Sequence, residues 1–174
     1  FLNNGEAHDD CIPVMPEIML PVCNPRYQEL ARTDEWRAHG DTVIVMDNEE
    51  RGWHTRYSAF SNGTRHVAGV LSFNDYAIVV QAALLGQGIA LGWLNIVAPS
   101  LTQKTLVPVE DELTVTNRIC CLSWGHERPP RPIVADVRDW LAAEIHADLA
   151  AVDRVYPSLG LSKVLARHRN AAQT

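Results

Sequence analysis

From Val67 to Val97 the chain reads VAGVLSFNDYAIVVQAALLGQGIALGWLNIV, and its apolar and polar positions divide it into strand, helix, strand and helix. Val67 to Phe73 is β-branched and apolar, the pattern of a strand. Asn74 and Asp75 follow as a cap and a first-turn acid. Tyr76 to Leu85 is apolar on nearly every face, so the helix it predicts is expected to be buried. Gly86 falls where a helix closes on a left-handed residue, and Gly88 follows. Ile89 to Trp93 then has the composition of a short parallel strand covered on both faces.

The remaining elements are read the same way. Glu17 to Cys23 predicts a strand whose Pro21 leaves one edge without a hydrogen-bonding neighbour. Asn24 and Pro25, a cap and a first-turn proline, start a helix of about two turns. Val43 to Met46 is a strand, Asp47 to Arg51 a charged turn, and Trp53 to Phe60 a polar stretch with interleaved aromatics. Leu106 to Val109 and Ile119 to Trp124 return as strands, and HERPPRP is a proline-rich loop. A last long helix starts at Val134. Its apolar positions Val134, Val137, Trp140 or Leu141, Ile145 and Leu149 predict one buried stripe. Alternating strands and helices imply an α/β fold with a mostly parallel sheet.

Composition narrows the function classes. A net charge of -6 argues against this chain wrapping a polyanion, which needs clustered Lys and Arg. No apolar run approaches the ~20 residues that cross a bilayer, and the opening FLNNGEAHDD has neither the basic nor the apolar part of a secretion signal. Cys11, Cys23, Cys120 and Cys121 form no CxxC or zinc-finger spacing, which suits free thiols in a reducing cytoplasm.

The segment AALLGQGIALGW, Ala82 to Trp93, resembles the signature of the effector-binding domain of LysR-type transcriptional regulators. LPVCNPRY from Leu20, LVPV from Leu106 and RPIVADVRDWLAAEI from Arg131 fall in that family's order. The resemblance implies a two-lobed, periplasmic-binding-protein-like (type II) fold with an incomplete first lobe. Residues 1–23 would be part of lobe I and a crossing strand, 24–105 lobe II, 106–149 the return strand and the remainder of lobe I, and 150–174 a C-terminal extension expected to be loose. The family's winged helix-turn-helix would lie upstream of Phe1. It also implies a cytoplasmic sensor with no cofactor, assembling as a homodimer or homotetramer and meeting DNA only through that absent N-terminal domain. The alternative with the same fold is a solute-binding protein of a transport system.

Ligands of α/β folds sit beyond strand carboxyl ends, where helix starts present N–H groups. Two such starts occur, at Ser72 to Asp75 and at Gly92 to Asn95. They predict a small, anionic effector contacted by Ser72, Phe73, Asn74 and Trp93, with Leu91 and Gly92 as wall, and the LysR-type resemblance implies an inter-lobe cleft at the same place. The plainer alternative makes the polar residues caps and the aromatics core. An aromatic cage of Trp53, Tyr57, Phe60 and Trp93 for a quaternary ammonium is a second option. Catalysis finds no foothold. The seven histidines match no GxSxG, HExxH or GxxxxGK[ST] spacing, and His54 with Asp47 lies in what reads as exposed loop, so no catalytic or metal residue is assigned.

Overall fold

In the computed structural model, residues 2–3, 11–33, 36, 39–47, 53–124 and 132–171 are described. They divide into two units. Unit 1 is Phe1–Ile18 with Thr114–Thr174, and unit 2 is Met19–Leu113. Strand β2 (Cys11–Cys23) starts in the first and ends in the second.

Unit 2 is a sheet flanked by helices. Its strands are the second half of β2, then β3 (Asp41–Met46), β4 (Val67–Phe73), β5 (Ile89–Trp93) and β6 (Val107–Pro108). β3 runs parallel to both β4 and β5, whereas β2 is antiparallel to β5 and β6. The sheet is therefore mixed rather than mostly parallel. Strand direction is set by long-range connections that local periodicity does not encode. β3 is the buried centre, with Val43, Ile44 and Val45 at most 1% exposed, while the edge strand β4 alternates in burial. Pro21 faces Leu91 of β5 and its carbonyl accepts from Val109 N–H at 2.9 Å; its missing N–H falls on the β6 side, where the ladder is two residues long.

Helices α1 (Pro25–Leu30), α2 (Ser58–Ser61), α3 (Tyr76–Leu84) and α4 (Leu94–Thr102) complete the unit, with a 3-10 turn at Trp53–Arg56. Asn24 caps α1 by accepting from Arg26 N–H at 2.9 Å, and its amide donates to Leu84 O of α3 at 2.7 Å. α3 ends as its sequence demands. Gly86 is left-handed (φ 74), Gly86 N–H donates to Ala83 O, and Gln87 N–H donates to Ala82 O, the paired closure of a Schellman motif. Two residues on, a Cβ on Gly88 would stand 2.5 Å from Thr42 O, so only glycine lets β5 come alongside β3. α3 is not buried on every face. Val79, Ala82 and Ala83 are buried, but Ile78 and Leu85 are 45% and 74% exposed. At the amino end of β3, buried Asp41 holds Arg65 at 3.0 Å and accepts from Tyr27 Oη at 3.2 Å.

Unit 1 contains β1 (Leu2–Asn3) antiparallel to β7 (Thr114–Ser123), the first half of β2, and helices α5 (Pro132–Val155) and α6 (Leu161–Ala171). Buried Glu17 accepts from Thr116 Oγ1 at 2.7 Å and faces Arg118 at 3.7 Å. The buried stripe of α5 differs from the expected one. Leu149 and Val152 are buried and Val134, Leu141 and Ile145 half-buried, but Val137 and Trp140 are 46% and 59% exposed. Trp140 stands one position from half-buried Leu141, the alternative expected there, and one position turns a side chain about 100° round the axis.

Nor are the described residues after Leu149, up to Ala171, loose. α5 continues to Val155, a 3-10 turn at Pro157–Leu159 closes on left-handed Gly160, and Asp153 Oδ1 caps α6 by accepting from Ser162 N–H at 3.1 Å. Val152, Leu159 and Leu161 are buried there. Those apolar residues anchor the turn of a helical hairpin. HERPPRP, apart from Pro132, and most of the Asp47 to Arg51 turn lie outside the described residues.

Candidate functional site

The carboxyl ends of β4, β3 and β5 lie side by side in unit 2. Val45 pairs with Ser72 and Met46 with Phe73, while Ile44 pairs with Ala90, which continues to place Met46 level with Gly92. Around these ends a cavity of about 10 Å³ is lined by Met46, Trp53, Tyr76, Val79, Leu91 and Trp93, with Ile44 at its base. That is room for about one water. A pocket that encloses a metabolite is some thirty times larger or more, roughly 300–1,000 Å³, so this face of unit 2 is an apolar platform rather than a chamber.

Two longer helices start at this platform, and their starts differ. At α3 the cap is Asp75, whose Oδ1 accepts from Ala77 N–H at 2.8 Å. Asn74, expected as cap, precedes it and is exposed. Beside it Ser72 Oγ donates to Asp47 Oδ1 at 2.6 Å. Two carboxylates therefore occupy the end of β4, and a helix end that already has its own anion does not attract a second.

At α4 the cap position is Trp93, which supplies no side-chain oxygen. Trp93 N–H is taken by Tyr76 Oη at 2.8 Å, and the same hydroxyl donates to Leu91 O at 3.1 Å. Burial pushes the Tyr76 phenol well above its ordinary range, so it stays a neutral hydroxyl that can both donate and accept. Its ring meets Trp93 edge to face at 4.4 Å. Tyr76 thus clamps the β5–α4 turn, and among the described residues nothing accepts from Leu94 N–H or Asn95 N–H. The other described helices of unit 2 are closed. Asn24 serves α1, Asp75 serves α3, and the α2 start is held by Glu112 on Ser58 N–H (3.1 Å) and Glu110 on Ala59 N–H (3.0 Å).

Of the six expected site residues, Ser72, Phe73 and Asn74 lie at the acidic end and Trp93 at the open one. Leu91 is 6% exposed at the platform. Gly92 is packed in the interior, where a Cβ would come within 3.0 Å of Val97 and 3.1 Å of Val22. Tyr76 and Asp47 were not anticipated. Their signals were a hydroxyl opening an otherwise apolar helix and an acid directly after the apolar VIVM.

The cage reading fails on burial. Trp53 and Tyr57 are 2% and 1% exposed, and Trp53 packs edge to face on Tyr57 at 5.8 Å and Phe60 at 6.0 Å, so their ring faces are taken up by core packing. His54 is half-buried rather than in open loop. Its ring lies 5.8 Å from Phe60, its Nδ1 is buried without a partner among the described residues, and burial lowers its pKa. No group of three or more His, Cys, Asp and Glu among the described residues could hold a metal.

These features define an α/β domain of the type II periplasmic-binding-protein-like fold. The family described as LysR substrate binding domain matches residues 3–145, and the chain belongs to that family. Among solved structures it is similar to the AmpR effector-binding domain of Citrobacter freundii, with 17% identity, 84% of this chain and 72% of that one covered, and a TM-score of 0.51. The AmpR effector domain of Pseudomonas aeruginosa gives 14%, 84%, 70% and 0.54. Full-length LysG of Corynebacterium glutamicum, solved with bound effector Arg, gives 13% and 0.54; 83% of this chain and half of LysG are covered. Comparison with curated proteins finds no match. Among the described residues no helix is long and apolar enough to cross a membrane.

Proposed function

We propose that this chain is the effector-sensing domain of a LysR-type regulator and that it holds a small acid without transforming it. The acid group lies on the start of α4, against the N–H of exposed Asn95, and a hydrogen-bond donor or cationic group of the same molecule faces Ser72 and Asp47. One observation carries this reading: neither α2 nor α4 is capped by its own N-cap residue, but distant carboxylates hold the α2 start, whereas among the described residues no side chain accepts from the first-turn N–H groups of α4. A helix start favours a negative charge by roughly 0.3–1 kcal/mol, and up to about 2 when partly buried. That is at most about thirtyfold in affinity, so most of the binding has to come from the platform of Leu91, Tyr76 and Trp93. In the parent protein, binding shifts the balance between two arrangements of a homodimer or homotetramer and so the activity of a DNA-binding domain. The transport alternative has no observation of its own.

Tryptophan fluorescence and calorimetric titrations with succinate, zwitterionic amino acids and choline test this. Carboxylate-bearing compounds should bind, and Asn95→Asp should weaken them. A response to choline alone, or to none of the three classes, contradicts the proposal.

A further inference from the structure

At the opposite end of the unit 2 sheet from the platform lies an open groove of about 670 Å³, lined by exposed Arg26, Glu29, Lys104 and Thr105 and by half-buried Asn24 and Leu84. Strand direction puts it there. β2 ends beside the start of β5, Val22 against Ala90, whereas the platform stands at Trp93. α3 and α4 start at the platform and end at the groove, which receives Leu84 from the one and Lys104, two residues past Thr102, from the other.

Hydrogen bonds fix its frame. Asn24 joins α1 to α3 through Leu84 O, and Gln28 joins α1 to β6 by donating to Pro108 O at 2.9 Å. The turn after α4 is closed by Lys104 N–H on Leu101 O at 3.0 Å and Thr105 N–H on Ser100 O at 2.9 Å. Such a closure usually takes glycine, yet Lys104 occupies it at φ 58, the one non-glycine residue with positive φ among the described residues. A side chain there carries a backbone cost that glycine escapes. Among the described residues the ion pairs are Arg65–Asp41, Arg118–Glu17 and Arg138–Asp139, so Arg26, Glu29 and Lys104 are not paired with one another. The ends of α3 and α4 each carry a partial negative charge of about half a unit. Their last carbonyls are already taken by Asn24, Gly86, Gln87, Lys104 and Thr105, and the full charges of Arg26 and Lys104 outweigh them.

We propose that this groove binds a small phosphate monoester, with Arg26 and Lys104 on the phosphate and Glu29 accepting from hydroxyl groups of the organic part. The guanidinium offers a planar fork that matches phosphate oxygens, and the lysine adds a point charge. Glu29 repels a second anionic group and so favours a neutral, hydroxyl-bearing body. Phosphate binding here is independent of effector binding at the start of α4: the helix has 9 residues, so its two ends stand roughly 14 Å apart.

Amide NMR and calorimetry of the native chain with glycerophosphate, glycerol and inorganic phosphate test this. Glycerophosphate should shift the Arg26, Lys104 and Thr105 amides saturably and leave Asn95 in place, and it should bind more tightly than inorganic phosphate. Glycerol should not bind, and molar sodium chloride should weaken glycerophosphate on the order of fivefold or more, as screening of exposed charges requires. Lys104→Gly separates a ligand role from a structural one. It relieves the left-handed backbone, so the midpoint of denaturant unfolding should hold or rise while glycerophosphate affinity falls roughly fivefold or more. Arg26→Gln should lose about as much with its circular dichroism unchanged, and Glu29→Gln should remove the preference for the ester over inorganic phosphate. No binding of glycerophosphate, shifts centred on Asn95, or undiminished affinity in Lys104→Gly would each overturn the proposal.

Discussion

The starts of α3 and α4 stand at the same edge of one sheet, each after an apolar strand, and their electrostatics are opposed. The start of α3 is closed by its own carboxylate and flanked by Asp47. Among the described residues no side chain caps the start of α4, and the Tyr76 hydroxyl beside it accepts from Trp93 N–H. A helix start near a strand end is therefore not by itself an anion site; what matters is whether the sequence has already supplied the anion. On the proposed reading the contrast would orient a ligand, acid towards α4 and donor towards β4.

The largest effect is expected where the two starts are joined. Tyr76→Phe leaves Leu91 C=O and Trp93 N–H without their shared partner and should cost about 1–3 kcal/mol in denaturant unfolding. It should also weaken effector binding, since the turn that presents Asn95 is no longer clamped. Next, Asn95→Asp puts a carboxylate into the first turn of the open start. Affinity for a carboxylate should fall about tenfold, or ~1.4 kcal/mol, while unfolding stability holds or rises by a few tenths of a kcal/mol. A variant that loses stability and affinity together would deny that α4 is left open for a ligand.

The reverse change at α3 is smaller. Asp75→Ala should cost about 1 kcal/mol and Asp75→Ser much less, with carboxylate affinity altered by no more than about twofold in either. The smallest effect belongs to His54 behind the platform. Its pKa is lowered in the folded chain by burial, so the unfolded chain takes up the proton first as pH falls through about 6.5. Its contribution to stability is complete above that pH and is lost as pH falls towards the folded value. Unfolding measured between about pH 7.5 and pH 5.5 should have a shallower slope in His54→Asn than in the native chain.

Much of unit 2 could be read in advance because its punctuation is local. Gly86 left-handed, Gly88 against Thr42 O, and Asn24 with Pro25 opening α1 follow from backbone rules that act within a few residues. What escaped was set by distant partners. The antiparallel pairing of β2 with β5 depends on where the chain goes between residues 23 and 89, and the exposure of Val137, and of Trp140 rather than Leu141, depends on what packs against α5. At the site the same division holds. Trp93 and Leu91 were legible as residues at a strand end, but the role of Tyr76 rests on a hydrogen bond to a strand 15 residues away. The choice of Asp75 over Asn74 as cap turns on one residue's backbone angles, φ -129 and ψ 125, which composition does not specify.

The most direct measurement is amide NMR of the chain titrated with succinate. If the start of α4 receives the acid group, the Leu94 and Asn95 amide resonances shift saturably while Ala77, already bound to Asp75, does not. Shifts centred on Ala77, or none at Leu94 and Asn95 while succinate binds, would contradict the account.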